Sequence, residues 1–359
     1  MKDDFATAMR RSLEQTRAGD PLAATRTIRT ALADDAGATS PLETPPPRQE
    51  KARRENQRLP LSKVISELSR KPSGLDFRFG RSSPVLDVPA GAAFEHRHHQ
   101  GTHGARDYRV YRPANQHAPV KGVLLMLHGC TQSPEDFAVG TRMNEHAERH
   151  AFVVVYPEQT RGHNASLCWN WFRPGDQGRS EGEPALLAEL VAAIASEHGV
   201  PPSRTFAAGL SAGGAMAAIL SLTHPEVFAA VGVHSGLAPG SAQDVISAFS
   251  AMRGEAAPGA KALSVPAIIF HGSADKTVAP VNAGRLAGPV RQAETWSGET
   301  KGRRYDVLSA RGATGHPVEV WRIDGAGHTW SGGHADGSHT DPSGPDASAE
   351  MVRFFLAQV

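Results

Sequence analysis

The sequence predicts an α/β fold in which a mostly parallel central sheet carries helices on both faces, with a short helical extension at the N-terminus. Three observations predict it. From about residue 90, short apolar runs alternate with helical patterns, the texture of strands buried on both faces between crossover helices. Glycine is abundant, with 36 residues, as many tight strand-to-helix turns require. One of those turns, Gly209-Leu210-Ser211-Ala212-Gly213, joins a β-rich run to an Ala-rich helical pattern.

The first 32 residues read as a helical hairpin. Phe5, Met9 and Leu13 share one face, Leu22, Ile28 and Leu32 another, and Gly19-Asp20-Pro21 supplies a stop, an N-cap and a first-turn proline. Residues 33–89 read as a linker holding Pro45-Pro46-Pro47, a basic run from Arg48 to Arg58 and a short amphipathic segment, Leu61–Leu68. The catalytic domain is expected over residues 90–359. It opens with an antiparallel hairpin near Phe94 and at Tyr108–Tyr111. Strands are expected at Val123–Leu127, Phe152–Tyr156, Thr205–Ala208, Ala229–Val233, Ala267–Phe270 and Val318–Ile323. Helices are expected near Pro184–His198, Ala212–Thr223 and Ala347–Leu356.

Composition limits the function classes. Hydrophobic residues make up 40% of the chain and the formal charge is +1, which gives no electrostatic reason to bind nucleic acid. No apolar run approaches the roughly 20 residues of a membrane span. Asp3, Asp4, Arg10 and Arg11 interrupt the start where a secretory signal needs an apolar core, so a cytoplasmic location is expected, with export left open. Two cysteines, Cys130 and Cys168, are too few for a disulfide framework or a structural zinc site. Several of the 17 histidines cluster at His96, His98, His99 and His103, and His334 and His339 follow His328, but no ligand spacing accompanies them. No metal or other cofactor is expected.

The Gly209–Gly213 turn carries the chemistry. A strand–turn–helix around GxSxG lifts a serine hydroxyl above the sheet, and the glycines let strand and helix approach. Ser211 is therefore the expected nucleophile. A hydroxyl needs a base and the base an orienter, each past a later strand end, in the order Ser, acid, His. Asp275 follows the run Val265–Phe270, and His328 follows Val318–Ile323. Asp324 is the rival acid. The oxyanion hole needs two backbone donors. They are expected from Ala212 and from the loop His128-Gly129-Cys130-Thr131-Gln132, through the N–H of Cys130.

These blocks identify an α/β-hydrolase and resemble the polyhydroxybutyrate-depolymerase-type esterases, which include feruloyl and acetyl-xylan esterases. The resemblance rests on LLMLHGCTQSPEDFAVGTRMNEHAERHAFVVVYPEQ, CWNWF, GEPALLAELV, AAGLSAGGAMAA, FAAVGVHSGL, HGSADKTV, GAGHTWSGG and DPSGPDASAEMVRFFL, which cover nearly all of residues 120–356. It puts Ser211, Asp275 and His328 on the family's triad positions. It also implies a bridge between Cys130 and Cys168, the alternative being two thiols kept reduced in a cytosol.

The resemblance implies a serine esterase acting through an acyl-serine on poly- or oligo(3-hydroxybutyrate) or similar short-chain esters, with feruloyl or acetyl-xylan ester hydrolysis as the second reading. Trp169, Trp171, Phe172 and Trp330 are candidates for walling an acyl pocket, with core packing as their alternative. Only a small cap fits between Gly236 and Val265. A granule-binding protein with an idle hydrolase fold, attached through the N-terminal hairpin, is the reading from another class. The presence of all three triad residue types weighs against it.

Overall fold

In the computed structural model the described residues are 86–359, apart from 115–118, 256 and 258. The N-terminal hairpin and most of the linker expected from the sequence lie outside them. Strands β1 (Ala93–Gly101) and β2 (Gly104–Arg112) form the opening antiparallel hairpin. The expected runs become β3 (Gly122–Leu127), β4 (Phe152–Pro157), β5 (Thr205–Leu210), β6 (Ala230–His234), β7 (Ala267–Gly272) and β10 (Pro317–Ile323). Between β7 and β10 lies an antiparallel hairpin that the sequence reading did not anticipate, β8 (Arg291–Thr300) and β9 (Arg303–Arg311). All ten strands form one sheet in the order β1-β2-β4-β3-β5-β6-β7-β10-β9-β8. The six central strands, from β4 to β10 in that order, pair in parallel.

Strands β3 to β7 are buried from end to end, and their side chains alternate between two cores. Leu125, Val155, Ala207, Val231 and Ile269 face helices α3 (Gly182–Glu197) and α4 (Ala212–Thr223). Leu124, Val154, Phe206, Ala208 and Ile268 face α2 (Met143–His150) and α7 (Ala347–Leu356), which continue the second core. Phe206 stacks on Phe355 at 4.8 Å between ring centroids, which fastens α7 to the sheet. Helix α4 is apolar all round because it is buried all round. The remaining α-helices among the described residues are α1 (Pro134–Thr141), α5 (Val245–Met252) and α6 (Val281–Ala287).

The strand order sets the position of the site. β3 lies between β4 and β5, so the chain leaves β3 toward one side of the sheet and later builds outward on the other. Loops leaving the carboxyl ends of such neighbours diverge and open a crevice. The loop after β3 and the turn after β5 border that crevice.

Candidate active site

The turn after β5 is held by steric necessity. Ser211 has φ 57° and ψ −118°, a left-handed conformation that a residue with a Cβ adopts only under constraint. Its N–H donates to the His234 carbonyl at 2.9 Å, and its own carbonyl accepts from Ala215 at 2.9 Å. A Cβ on Gly213 would overlap the Leu127 carbonyl, and one on Gly209 would overlap the Gly213 backbone. Both glycines are therefore required for β3, β5 and α4 to meet.

Asp275 and His328 come from the loops after β7 and β10, which are neighbours in the sheet. Ser273 N–H donates to the Ile323 carbonyl at 2.8 Å and Ala274 N–H to the Ala326 carbonyl at 3.0 Å, which ties the loops together. His328 Nδ1 lies 2.8 Å from Asp275 Oδ2. The other carboxylate oxygen accepts the N–H groups of Thr277 and Val278, each at 2.9 Å. His271 Nε2 donates to the Val278 carbonyl at 2.9 Å and lies 3.5 Å from Asp275 Oδ2. Burial alone would raise the Asp275 pKa, but the His271 and His328 contacts outweigh it and hold the carboxyl well below its usual range. An ionised Asp275 accepts a hydrogen bond from His328 Nδ1–H, which keeps the proton on that nitrogen and leaves Nε2 as the base. Asp324 accepts instead from the Ser273 hydroxyl at 3.2 Å and is exposed. Of the two candidate acids, the structure joins Asp275 to His328.

The two backbone donors expected for an oxyanion hole are available. Among the described residues neither Cys130 N–H nor Ala212 N–H is spent on a hydrogen bond. Cys130 is disulfide-bonded to Cys168, and Thr131 N–H, at φ 67°, donates to the Ser166 carbonyl at 3.1 Å. The loop after β3 is thus fastened to the segment after β4.

A buried polar network, not singled out by the sequence reading, lies behind that loop. Gln159 N–H donates to His128 Nε2 at 3.2 Å, so Nδ1 carries the ring proton and donates to the Gly129 carbonyl at 2.8 Å. Burial lowers the His128 pKa to about 4, with the Gly129 bond acting against the shift. The Gln159 side chain accepts from Arg106 at 2.5 Å and donates to Glu183 at 2.5 Å and to the Cys168 carbonyl at 2.9 Å. Burial raises the Glu183 carboxyl above its usual range, although Asn170 N–H and Gln159 donate to it. His234, stacked between Phe270 and Trp330, plays a similar part on the other side of the site. Its Nε2 accepts the Ser331 N–H at 3.1 Å, and burial, with His271 and His328 nearby, lowers its pKa to about 3.

The tryptophans require a correction. Trp169 is 0% exposed, Trp330 1% and Trp171 6%, so none of them presents a free wall to a substrate. Trp169 donates from its ring N–H to the His128 carbonyl at 3.1 Å under the Arg106 guanidinium. Trp330 donates to the Ser348 hydroxyl at 3.1 Å, and Trp171 packs edge-on against the half-buried Phe172. All three belong to the cores that support the loops. Two histidines of β1 lie beside carboxylates, His98 with Asp107 at 2.7 Å and His99 with Glu189 at 3.8 Å. Among the described residues no group of three or more His, Cys, Asp or Glu is placed to hold a metal ion. No helix among them is long and apolar enough to cross a membrane.

Comparison with known proteins agrees with this architecture. The chain is 34% identical over 237 residues to poly(3-hydroxyalkanoate) depolymerase C of Paucimonas lemoignei, a match covering 60% of this chain and 55% of that protein. It is 26% identical over 194 residues to acetylxylan esterase A of Talaromyces purpureogenus, covering 48% and 50% of the two chains. The chain thus spans about half the length of these relatives. Among solved structures, an acetyl xylan esterase from Aspergillus awamori shares the fold with a TM-score of 0.57 and 18% identity, over 74% of this chain and 99% of that one. The family model described as Esterase PHB depolymerase matches residues 106–308, more than half of the chain, which therefore belongs to that family of α/β-hydrolases.

Proposed function

We propose that this chain is a serine carboxylic-ester hydrolase. Ser211 is the nucleophile, His328 the general base and acid, Asp275 the group that orients and charges the imidazole, and the N–H groups of Cys130 and Ala212 the oxyanion hole. The observation that carries the reading is the part-buried Asp275–His328 hydrogen bond of 2.8 Å at the carboxyl end of the sheet, where the strained Ser211 also lies. Ser211 Oγ attacks the ester carbonyl carbon while its proton passes to His328 Nε2. The tetrahedral oxyanion then collapses, and His328 returns the proton to the departing alkoxide, which leaves as an alcohol. Water repeats the sequence on the acyl-serine and frees the acid. The chemistry needs no cofactor. Ser211→Ala tests it: kcat on p-nitrophenyl butyrate falls by roughly 10⁴–10⁶ with the fold intact. Full esterase activity in that variant would refute the assignment.

The favoured substrate is a poly- or oligo(3-hydroxyalkanoate), the class named for the Paucimonas relative. Helix α5 supports a polymeric substrate. It turns its small residues Ala248 and Ala251 inward and leaves Ile246 79% and Phe249 56% exposed. Its last turn adjoins the acid loop, where the Met252 carbonyl accepts the Ala279 N–H at 2.7 Å. An outward apolar face beside a catalytic loop suits an insoluble aliphatic chain. The acetylxylan esterase names among relatives and neighbours favour the second reading, an acetyl or feruloyl ester. Rates on hydroxybutyrate oligomers, acetylated xylan and feruloyl esters separate the two. Granule contact through residues 1–32 is part of the proposal. A cytoplasmic location would keep Cys130 and Cys168 reduced, whereas the bridge between them suits an oxidising compartment. The thiol state in protein taken from cells decides between them.

A further inference from the structure

Gln132 lies between the disulfide-bonded Cys130 and the start of α1, and it is 3% exposed. All of its amide is used. Oε1 accepts the Gly129 N–H at 2.8 Å, and Nε2 faces Asp136 Oδ2 at 2.9 Å, the Ser338 carbonyl at 3.1 Å and the Ser338 hydroxyl at 3.2 Å. This set of partners fixes the amide's orientation, because only the oxygen can face an N–H and only the nitrogen can face a carboxylate. Ser338 belongs to the loop that follows His328, between β11 (Trp330–Ser331) and β12 (Thr340–Asp341). Asp136 reinforces the join by accepting the Ser338 N–H at 2.8 Å and its hydroxyl at 2.5 Å.

The consequence for the oxyanion loop follows from peptide geometry. The described chain has no cis peptide bond, so the carbonyl of Gly129 and the N–H of Cys130 point in opposite directions within one plane. The Gly129 carbonyl accepts from His128 Nδ1 at 2.8 Å and from Gln132 N–H at 3.3 Å. Its N–H is held by the Gln132 side chain. With Gly129 pinned at both ends, the Cys130 N–H has one direction left, and no hydrogen bond among the described residues competes for it.

We propose that Gln132 is a positioning residue that sets the Gly129–Cys130 peptide and joins it, through Asp136 and Ser338, to the loop carrying His328. The inference rests on the esterase reading and deepens it: the oxyanion donor and the base are held as one unit. Gln132 touches no reacting atom and acts through the direction of the Cys130 N–H.

The test compares wild type, Gln132→Met and Asp136→Ala. Gln132→Met removes all the amide bonds at similar volume, and Asp136→Ala cuts the join from the half-buried first turn of α1. Each is measured for kcat and KM on p-nitrophenyl butyrate and for inhibition by phenylboronic acid, whose tetrahedral adduct on a serine mimics the oxyanion. Gln132→Met should lower kcat on the order of 10²-fold with KM within about twofold, and weaken the boronic acid by a similar factor. Asp136→Ala should move both readouts the same way by about tenfold, and it decides the matter should Gln132→Met not fold. Unchanged kcat in the folded variants, or a loss of kcat with undiminished boronate affinity, overturns the proposal. A wild-type protein that neither hydrolyses esters nor reacts with a fluorophosphonate at Ser211 overturns the esterase reading and this inference together. An active wild type with unaffected variants overturns the Gln132 assignment alone.

Discussion

On acidification from pH 7.5 to pH 5, two buried histidines should together remove roughly 4 kcal/mol of stability. His128 and His234 are both about 1% exposed, and each uses its Nε2 lone pair to accept a backbone N–H, from Gln159 and Ser331 respectively. Protonation would break those bonds and place a cation in the core. Their folded pKa values are lowered to about 4 and about 3, against an unfolded value near 6.5. In the window between folded and unfolded values only the unfolded chain binds the protons, so stability is complete above about pH 6.5 and falls as pH drops. Each histidine then costs about 1.36 kcal/mol per pH unit, close to 2 kcal/mol by pH 5. Asp275 does not add to the slope. Its carboxyl is held below its usual range, so its contribution is present above about pH 4 and constant across this window.

A loss of about 4 kcal/mol is a large part of the 5–15 kcal/mol that stabilises a typical protein, so urea titrations followed by tryptophan fluorescence should resolve it. His128→Asn supplies the control. An Asn amide keeps a donor near the position of Nδ1 and does not titrate, so the slope should fall by about 1.36 kcal/mol per pH unit. An unaltered slope in His128→Asn between about pH 6.5 and pH 5 would refute the reasoning. Protonation of folded His128, which orients the oxyanion loop, belongs nearer pH 4, below this window.

Three further outcomes are expected. Asp275→Asn should lower kcat by about 10⁴ by releasing the His328 tautomer, while the exposed Asp324→Asn should cost far less; the reverse ranking in steady-state kinetics would move the acid to Asp324. Reducing Cys130–Cys168, which closes a 38-residue separation, should lower stability by roughly 4 kcal/mol in the chain-entropy model, and thermal melts with and without reductant measure it. Removing the residues before Gly74 should leave turnover of soluble esters intact and weaken polymer binding alone; a truncated protein that folds but cannot hydrolyse p-nitrophenyl butyrate would make the N-terminal segment part of the site.

The parts of the fold legible in the sequence were those whose cause is local. Strands β3 to β7 are buried on both faces, so each reads as an apolar run bounded by turn residues. The turn at Ser211 is equally local, since the clash that demands Gly209 and Gly213 arises within one strand–helix junction and its neighbour β3. The β8–β9 hairpin escaped for the opposite reason. Nearly every residue of β8 is exposed, so its side chains do not alternate between core and solvent and leave no period of two to read. Helix α2, Met143–His150, hides similarly behind a polar sequence of which Met143, Asn144, His146 and Ala147 are buried.

The tryptophans and Gln132 mark a different limit. Sequence placed Trp169 and Trp330 near the catalytic loops, which is where they are, but proximity along the chain carries no depth. Their ring N–H groups find the His128 carbonyl and the Ser348 hydroxyl inside the protein, and so they support loops rather than line a pocket. Gln132 stands in a polar stretch, Thr131-Gln132-Ser133-Pro134-Glu135-Asp136, where a glutamine reads as ordinary solvated loop. Its partners are assembled only when the chain closes, for Ser338 lies 206 residues further on. An oxyanion hole makes this blindness systematic. Its donors are main-chain N–H groups, so the residues that aim them need no reactive side chain, only a hydrogen-bonding shape that fits a distant loop. Such residues are recognisable by an amide with every bond spoken for beside a backbone N–H with none.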